Sequence, residues 1–157
     1  MKYLLDASAL VELFLSLKAE ELIDMLRRCC ILDLTIYEFC NALWKLARIR
    51  KQIDEETAIT GAELLEKIVS GNMVEVISQW TSLKTRMRVS LKHYVNAYDI
   101  SYIHIAKNCN LVLVTGDPGM YTNAKNVFGL DALRVDELLK LHSHSKKRAN
   151  LWLHNNS

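Results

Sequence analysis

The sequence predicts an α/β fold, in which a central and mostly parallel sheet carries helices on both faces. Short apolar runs alternate with longer segments of helical periodicity along most of the chain. Strands that alternate with helices in this way form parallel sheets covered on both sides. A length of 157 residues, half of them apolar, suits one domain with a substantial core.

The first third of the chain predicts a strand, two short helices, a second strand and a long helix. Tyr3 to Leu5 is a short apolar run that ends at a carboxylate, and Ala9 to Cys29 has apolar residues at helical spacing with a break near Lys18. Ile31 to Leu34 fits a second strand, and Thr35 opens a helix that runs to about Arg50.

The middle of the chain predicts two further helices around a third strand. Asp54 is expected to cap a helix that ends before Gly71. Met73 to Ile77 is a strand candidate. Ser78 is then expected to cap a helix that runs towards Asn96.

The last third predicts the clearest strand and a polar tail. Asp99 is expected to begin a helix that leads into the strand Leu111 to Val114. An edge strand at Leu133 to Val135 and a helix from Asp136 to about His142 complete the prediction. The domain is therefore placed at residues 1–141, followed by a polar, basic tail at 142–157 that is expected to be a solvated terminus.

Composition narrows the class of protein. The net charge of +2 is too small to indicate a nucleic-acid binder by itself, so a polyanion would need a local patch or a metal ion. The basic runs Arg48, Arg50, Lys51 and Arg86, Arg88, Lys92 are interpreted mainly as solvated helix faces. The four cysteines lack a C-x-x-C spacing, and neither a signal peptide nor a membrane-spanning run is visible. We therefore expect a cytoplasmic protein with reduced thiols and no membrane association.

Four carboxylates are expected to meet at one edge of the sheet. Asp6 ends the first strand and Asp117 follows the strand at Leu111 to Val114, while Glu38 and Asp99 lie near the starts of helices. Ligands bind outside the carboxyl ends of parallel strands, which is the edge that these residues share.

Each carboxylate also has a local interpretation. Asp6 and Asp99 could be helix N-caps, and Thr35 with Glu38 could form a capping box. Asp117 precedes Pro-Gly, which favours a turn whatever the function. Taken together, however, clustered carboxylates repel one another unless a positive charge offsets the repulsion. Mg²⁺ or Mn²⁺, which prefer oxygen ligands, would supply that charge.

Four short motifs resemble those of the PIN-domain ribonucleases, and specifically of VapC-type toxins from toxin–antitoxin pairs. Their order and spacing agree with that family from residue 2 to about residue 136. In chain order they are Asp6-Ala7-Ser8, then Glu38 with Asn41-Ala42-Leu43, then Tyr98-Asp99-Ile100-Ser101-Tyr102, and finally Thr115-Gly116-Asp117. Pro118-Gly119 departs from the family pattern, in which a charged residue often follows the last Asp.

The resemblance implies a PIN-like three-layer sandwich and cleavage of single-stranded or loop RNA by an endoribonuclease that depends on Mg²⁺ or Mn²⁺. The implied metal ligands are Asp6, Asp99 and Asp117, while Glu38 would bind metal or orient the attacking water. The implied supporting residues are Ser8, Thr115 and, with a weaker case, Asn41. A cognate antitoxin and a homodimer are the implied protein partners.

Other functions remain open at this stage. The same nuclease could be an RNA-maturation factor, or an inactive PIN-like module that binds RNA or protein. A haloacid-dehalogenase-type phosphatase would need a second Asp where Ser8 stands. A nucleotide-binding fold would need a glycine-rich turn after the first strand, and that turn has no glycine.

Overall fold

A parallel five-stranded sheet forms the centre of the computed structural model, which describes residues 2–78 and 80–143. The strands are β1 (Tyr3–Leu5), β2 (Cys29–Leu32), β3 (Glu75–Ile77), β4 (Val112–Thr115) and β5 (Ala132–Arg134). They lie in the order β3-β2-β1-β4-β5, with Leu5 of β1 opposite Ile31 on one side and Val114 on the other. The predicted α/β fold with a central parallel sheet is confirmed.

Helices cover both faces of the sheet. They are α1 (Ala7–Ser16), α2 (Ala19–Leu26), α3 (Asp33–Trp44), α4 (Glu55–Ser70), α5 (Leu83–His93), α6 (Ala97–Asn108), α7 (Pro118–Thr122) and α8 over residues 135–143. A π-helical turn extends α3 (Lys45–Ile49), and another extends α7 (Asn123–Val127). Within the described residues, no helix is long and apolar enough to cross a membrane.

The alternation of side chains along each strand divides the core into two layers. Leu5 packs with residues of α1 to α4 and α8, whereas Leu4 packs with residues of α6, α7 and their neighbours. Successive strand residues point to opposite faces, so the two clusters lie on opposite sides of the sheet. The result is the expected arrangement of helices, sheet and helices.

The second strand and the helix after it both begin two residues earlier than predicted. Cys29 and Cys30 are buried in β2, where they behave as small apolar residues. Thr35 then lies inside the first turn of α3, and its Oγ1 accepts a hydrogen bond from the Leu32 N–H at 3.0 Å. The expected capping box of Thr35 with Glu38 is therefore wrong, and Glu38 is free for another role.

Two other predicted caps are also wrong. Ser78 donates its hydroxyl to Asp33 Oδ2 at 2.6 Å, and α5 begins only after Ser82, whose φ is 64°. The N-cap of α6 is Asn96, whose Oδ1 accepts from the Asp99 N–H at 2.9 Å, so Asp99 lies in the first turn of the helix. Ser, Asp and Asn all compete for such positions, and tertiary contacts decide between them.

The boundaries around α4 agree with the predictions. Asp54 is the N-cap, and its carboxylate accepts from the Thr57 N–H at 2.7 Å. The break before α2 falls at Leu17 and Lys18, as expected. Helix α8 continues through residue 143, two residues beyond the predicted domain boundary, and residues 144–157 of the predicted tail lie outside the described part of the chain.

Candidate active site

The strand order creates a crevice between β1 and β4. From β1 the chain first builds β2 and β3 on one side, and later returns to place β4 and β5 on the other side. Such a switch point, at the carboxyl ends of the strands, is where α/β folds bind ligands. A cavity of about 560 Å³ opens there, and Asp6, Glu38, Asp99 and Asp117 all line it. The expected convergence of the four carboxylates is thus observed.

Asp6 is the buried centre of this cavity, with 5% of its surface exposed. Its carboxylate accepts hydrogen bonds from the Ala9 N–H at 2.7 Å, the Ser8 hydroxyl at 2.8 Å and the Thr115 hydroxyl at 2.5 Å. Burial nevertheless raises the pKa of Asp6 to about 6, against these hydrogen bonds, and the charge of Glu38 raises it slightly further. Within the described residues, hydrogen bonds solvate this carboxylate, but no cation forms an ion pair with it.

Hydrogen bonds join the segments that follow β1 and β4. The Ser8 Oγ accepts from the Gly116 N–H at 2.8 Å, while the Thr115 Oγ1 accepts from the Asp117 N–H at 2.9 Å. Both hydroxyls also donate to Asp6, so these hydrogen bonds hold the segment after β1 and the segment after β4 in fixed positions relative to one another. Ser8 and Thr115 therefore lie where supporting residues were predicted.

Glu38 is held by a directional chain of hydrogen bonds. The Tyr102 hydroxyl donates to Glu38 Oε2 at 2.7 Å. Because that proton is used, Tyr102 accepts from the Thr35 hydroxyl at 2.9 Å, and Thr35 in turn accepts from the Leu32 N–H. Burial raises the pKa of the Glu38 carboxyl, which the Tyr102 hydrogen bond partly offsets.

Charge couples the remaining carboxylates in sequence around the cavity. Burial raises the pKa of Asp99, and the nearby charge of Asp117 raises it further. Asp99 in turn raises the pKa of Glu38, and Glu38 that of Asp6. The four groups therefore form one electrostatic cluster in which each ionised carboxylate disfavours the next.

The local interpretation as helix caps is correct for Asp6 and Asp117 and does not exclude a shared site. Asp6 is the N-cap of α1, and Asp117 is the N-cap of α7 with its Oδ1 accepting from the Met120 N–H at 2.7 Å. Both caps nevertheless point into the same cavity. Asn41 lines the wall one turn after Glu38, which places the weakest of the predicted supporting residues beside the site as well.

The chemistry of these side chains fits a hard divalent cation. The ionisable lining of the described cavity includes five carboxylates but neither histidine nor cysteine, and oxygen is the ligand that Mg²⁺ and Mn²⁺ prefer. Within residues 2–78 and 80–143, no three acidic, His or Cys side chains are gathered closely enough to hold an ion by themselves. Mg²⁺ usually binds one or two carboxylates and keeps several waters, so a site for it does not require three carboxylates in direct contact with the ion.

Several lining residues were not predicted. Glu12 lies one turn after Ser8 on α1, and a spacing of four residues could have suggested it. A Cβ atom on Gly116 would lie 2.4 Å from Glu12 Oε1, so the glycine makes room for this fifth carboxylate.

Tyr102 ends the motif that contains Asp99, but nothing in the sequence indicated that its hydroxyl donates a hydrogen bond to Glu38. Lys45 and Arg50 also line the cavity, on the wall formed by α3 and its π-helical turn.

Comparisons with known proteins agree with this fold. The family model described as the PIN domain matches residues 3–126. Exonuclease VapC9 of Pyrobaculum aerophilum is 34% identical over 135 residues, which cover 86% of this chain and 95% of the relative. Ribonuclease VapC3 of the same organism is 34% identical over 121 residues, covering 74% and 90%. The crystal structure of PAE2754 from Pyrobaculum aerophilum superposes with a TM-score of 0.68 at 31% identity, covering 91% of this chain and 98% of that one.

Proposed function

The chain belongs to the PIN-domain family and is of the VapC type, and from that premise we propose that it is a divalent-metal-dependent endoribonuclease. The proposed substrate is single-stranded or loop RNA in the cytoplasm. The observation that carries the proposal is the meeting of Asp6, Glu38, Asp99 and Asp117 in one cavity at the switch point of the sheet. The names of the relatives, a ribonuclease and an exonuclease, support nuclease chemistry.

In this proposal each residue of the cluster has a separate task. Asp6, Asp99 and Asp117 would hold Mg²⁺ or Mn²⁺ directly or through bound waters, and the ion would supply a water of lowered pKa and screen the charge on the phosphate. Glu38, fixed through Oε2 by Tyr102, has its other oxygen available to accept a proton from the attacking water. Its raised pKa brings it closer to neutrality, where a general base works best. In-line attack that expels the 3′-oxygen leaves a 5′-phosphate and a 3′-hydroxyl.

The decisive comparison uses two aspartates that are both N-caps. Asp117 caps α7 at the cavity, while Asp54 caps α4 away from it. Because Asn also caps helices well, Asp117→Asn and Asp54→Asn should both fold. We expect Asp117→Asn to lose about 100-fold or more of the RNA cleavage in Mg²⁺ or Mn²⁺. Asp54→Asn should keep the wild-type RNA cleavage, and EDTA should abolish cleavage by both wild type and Asp54→Asn.

A circular single-stranded RNA separates endonuclease from exonuclease chemistry, because it has no end. Linearisation of the circle by wild type, but not by Asp117→Asn, is the expected result. Degradation of linear RNA with an intact circle would show an exonuclease instead. Equal cleavage by wild type and Asp117→Asn would point to a contaminant and contradict the proposal.

We also propose that this nuclease is the toxin of a type II toxin–antitoxin pair, and that its antitoxin covers the cavity. Homodimer formation belongs to the same proposal. Trp44 and Ile59 on α3 and α4 are more than half exposed, which supports a protein contact on that face. Growth arrest on expression of wild type but not of Asp117→Asn is expected. Harmless expression of an active enzyme would favour a role in RNA maturation.

A further inference from the structure

One wall of the cavity changes from acidic to basic along a single helix. Glu38 and Asn41 line the cavity from α3, and Lys45 lines it from the first residue of the π-helical turn; the three residues follow one another at spacings of three and four. Those spacings place side chains on one helical face. Seven residues separate Glu38 from Lys45, which is about 10 Å along the helix axis. Lys45 is therefore on the same wall as the acids, about two helical turns from Glu38.

The π-helical turn adds a second cation to this wall. In an α-helix, residues five apart differ by about 140° in direction, so Arg50 would point away from Lys45. Here the Arg50 N–H donates to the Lys45 carbonyl at 2.9 Å, the i to i+5 bond that defines a π-helix. The wider turn of the π-helix places Arg50 one turn above Lys45 on the same side of the helix, and both side chains line the cavity.

Both cations are available for an anion. Within residues 2–78 and 80–143, neither the Lys45 ammonium nor the Arg50 guanidinium has an ion pair or a hydrogen bond, and both residues are exposed. Arg48, in the same turn, is also exposed but differs in its contacts. Its guanidinium pairs with Glu55 Oε1 at 2.9 Å, and it lines a separate groove between α3 and α4. The basic residues at the end of this helix were interpreted from the sequence as one solvated face. In the structure, Arg50 lines the cavity and Arg48 lines the separate groove.

We propose that Lys45 and Arg50 form a phosphate-binding subsite that positions the RNA strand beside the acidic end of the cavity. The inference rests on the proposed function and adds to it two positioning residues. The subsite would hold backbone phosphates on one side of the scissile bond. Val11, Leu15 and Leu46 also line the cavity and provide an apolar surface for the strand. Contacts to phosphate carry no base identity, so the subsite orients RNA without selecting a sequence.

The test measures RNA binding and its salt dependence, with Arg48 as the matched control. Lys45→Gln, Arg50→Gln and Arg48→Gln are compared in the Asp117→Asn background, where the RNA is not consumed, by fluorescence anisotropy of a labelled single-stranded RNA. Each of the first two should weaken binding about fivefold to tenfold. Each should also reduce the slope of log K against log salt by about 0.7. Arg48→Gln should change neither quantity.

Steady-state cleavage in the otherwise wild-type protein gives a second readout. Loss of a positioning contact to a distant phosphate should raise KM for RNA with little change in kcat. The conservative variants Lys45→Arg and Arg50→Lys should recover most of the lost affinity, because each restores the charge. A fall in kcat alone, with KM and the salt slope unchanged, would overturn the inference.

The two proposals fail in different ways. If wild type cleaves RNA but Lys45→Gln and Arg50→Gln keep the wild-type affinity and salt slope, the subsite is refuted and the nuclease stands. The same conclusion follows if Arg48→Gln reduces the slope as much as they do. If wild type neither binds nor cleaves RNA, the proposed function fails, and the subsite fails with it.

Discussion

Replacement of Asp6 by Asn should stabilise the protein at neutral pH when divalent cations are absent. The ionised Asp6 carboxylate is buried among acids, and its pKa is raised from 3.8 to about 6 because desolvation outweighs the hydrogen bonds that it receives. Asn has nearly the same shape and no charge. Its Oδ1 can still accept from the Ala9 N–H, and the Ser8 and Thr115 hydroxyls can turn to accept from its amide.

The size of the gain follows from the pKa shift of Asp6. A shift of about two units corresponds to about 3 kcal/mol between the charged and the neutral forms. Between about pH 4 and pH 6 the folded protein binds more protons at Asp6 than the unfolded chain, so its free energy of unfolding falls as the pH rises. Above pH 6 the folded protein carries the full cost of burying the ionised Asp6 carboxylate, and the uncharged Asn removes that cost. Below about pH 4 the two proteins should be equally stable.

Thermal unfolding in EDTA from pH 4 to pH 8 measures the effect. For a chain of this length, about 3 kcal/mol corresponds to a Tm increase of about 6–12 °C at pH 7.5. Asp54→Asn is the control, because hydrogen bonds from Thr57 lower the pKa of Asp54 and its neutralisation removes no burial cost. A Tm difference between Asp6→Asn and wild type that is independent of pH would refute the reasoning, as would a loss of stability at pH 7.5.

Two further substitutions test the supporting contacts. Tyr102→Phe should lower the free energy of unfolding by about 1–2 kcal/mol, because the buried Thr35 hydroxyl loses its acceptor. The hydrogen bond from Tyr102 lowers the pKa of Glu38, so its loss should raise that pKa and move the acid limb of the pH–rate profile to higher pH. An unchanged acid limb would contradict this role of Tyr102. Gly116→Ala forces Glu12 to move, so a double-mutant cycle with Glu12→Ala should give coupling of about 1 kcal/mol, whereas additive effects would exclude the clash.

The convergence of the acids could be predicted because it depends on topology more than on local detail. Apolar runs at Tyr3 to Leu5 and Leu111 to Val114 identify two parallel strands, and the carboxyl ends of parallel strands share one edge. The residue that follows each strand must then lie at that edge. Strand β4 begins and ends one residue later than predicted, and this difference does not move Asp117 away from that edge.

The bounds of helices were harder to predict because several residues compete for each cap. Ser78, Asn96 and Asp99 are all good N-cap residues, and only tertiary contacts select among them. The π-helical turn after α3 was not predictable, since the periodicity of its sequence does not differ from that of an α-helix. Arg50 therefore could not be assigned to the cavity.

The cluster depends on caps that also orient its carboxylates. Asp6 and Asp117 each accept, through Oδ1, a hydrogen bond from a backbone N–H of the helix that follows, which fixes the side chain without adding a positive charge. Backbone and hydroxyl donors thus hold the acids in place, while burial, and to a smaller extent the charge of a neighbouring carboxylate, raises the pKa values of Asp6 and Asp99. A cation that binds such a prearranged group gains from relief of the repulsion and costs little reorganisation. A capping role therefore strengthens the argument for a metal site at these residues, because the contacts that explain their position also prepare them to bind.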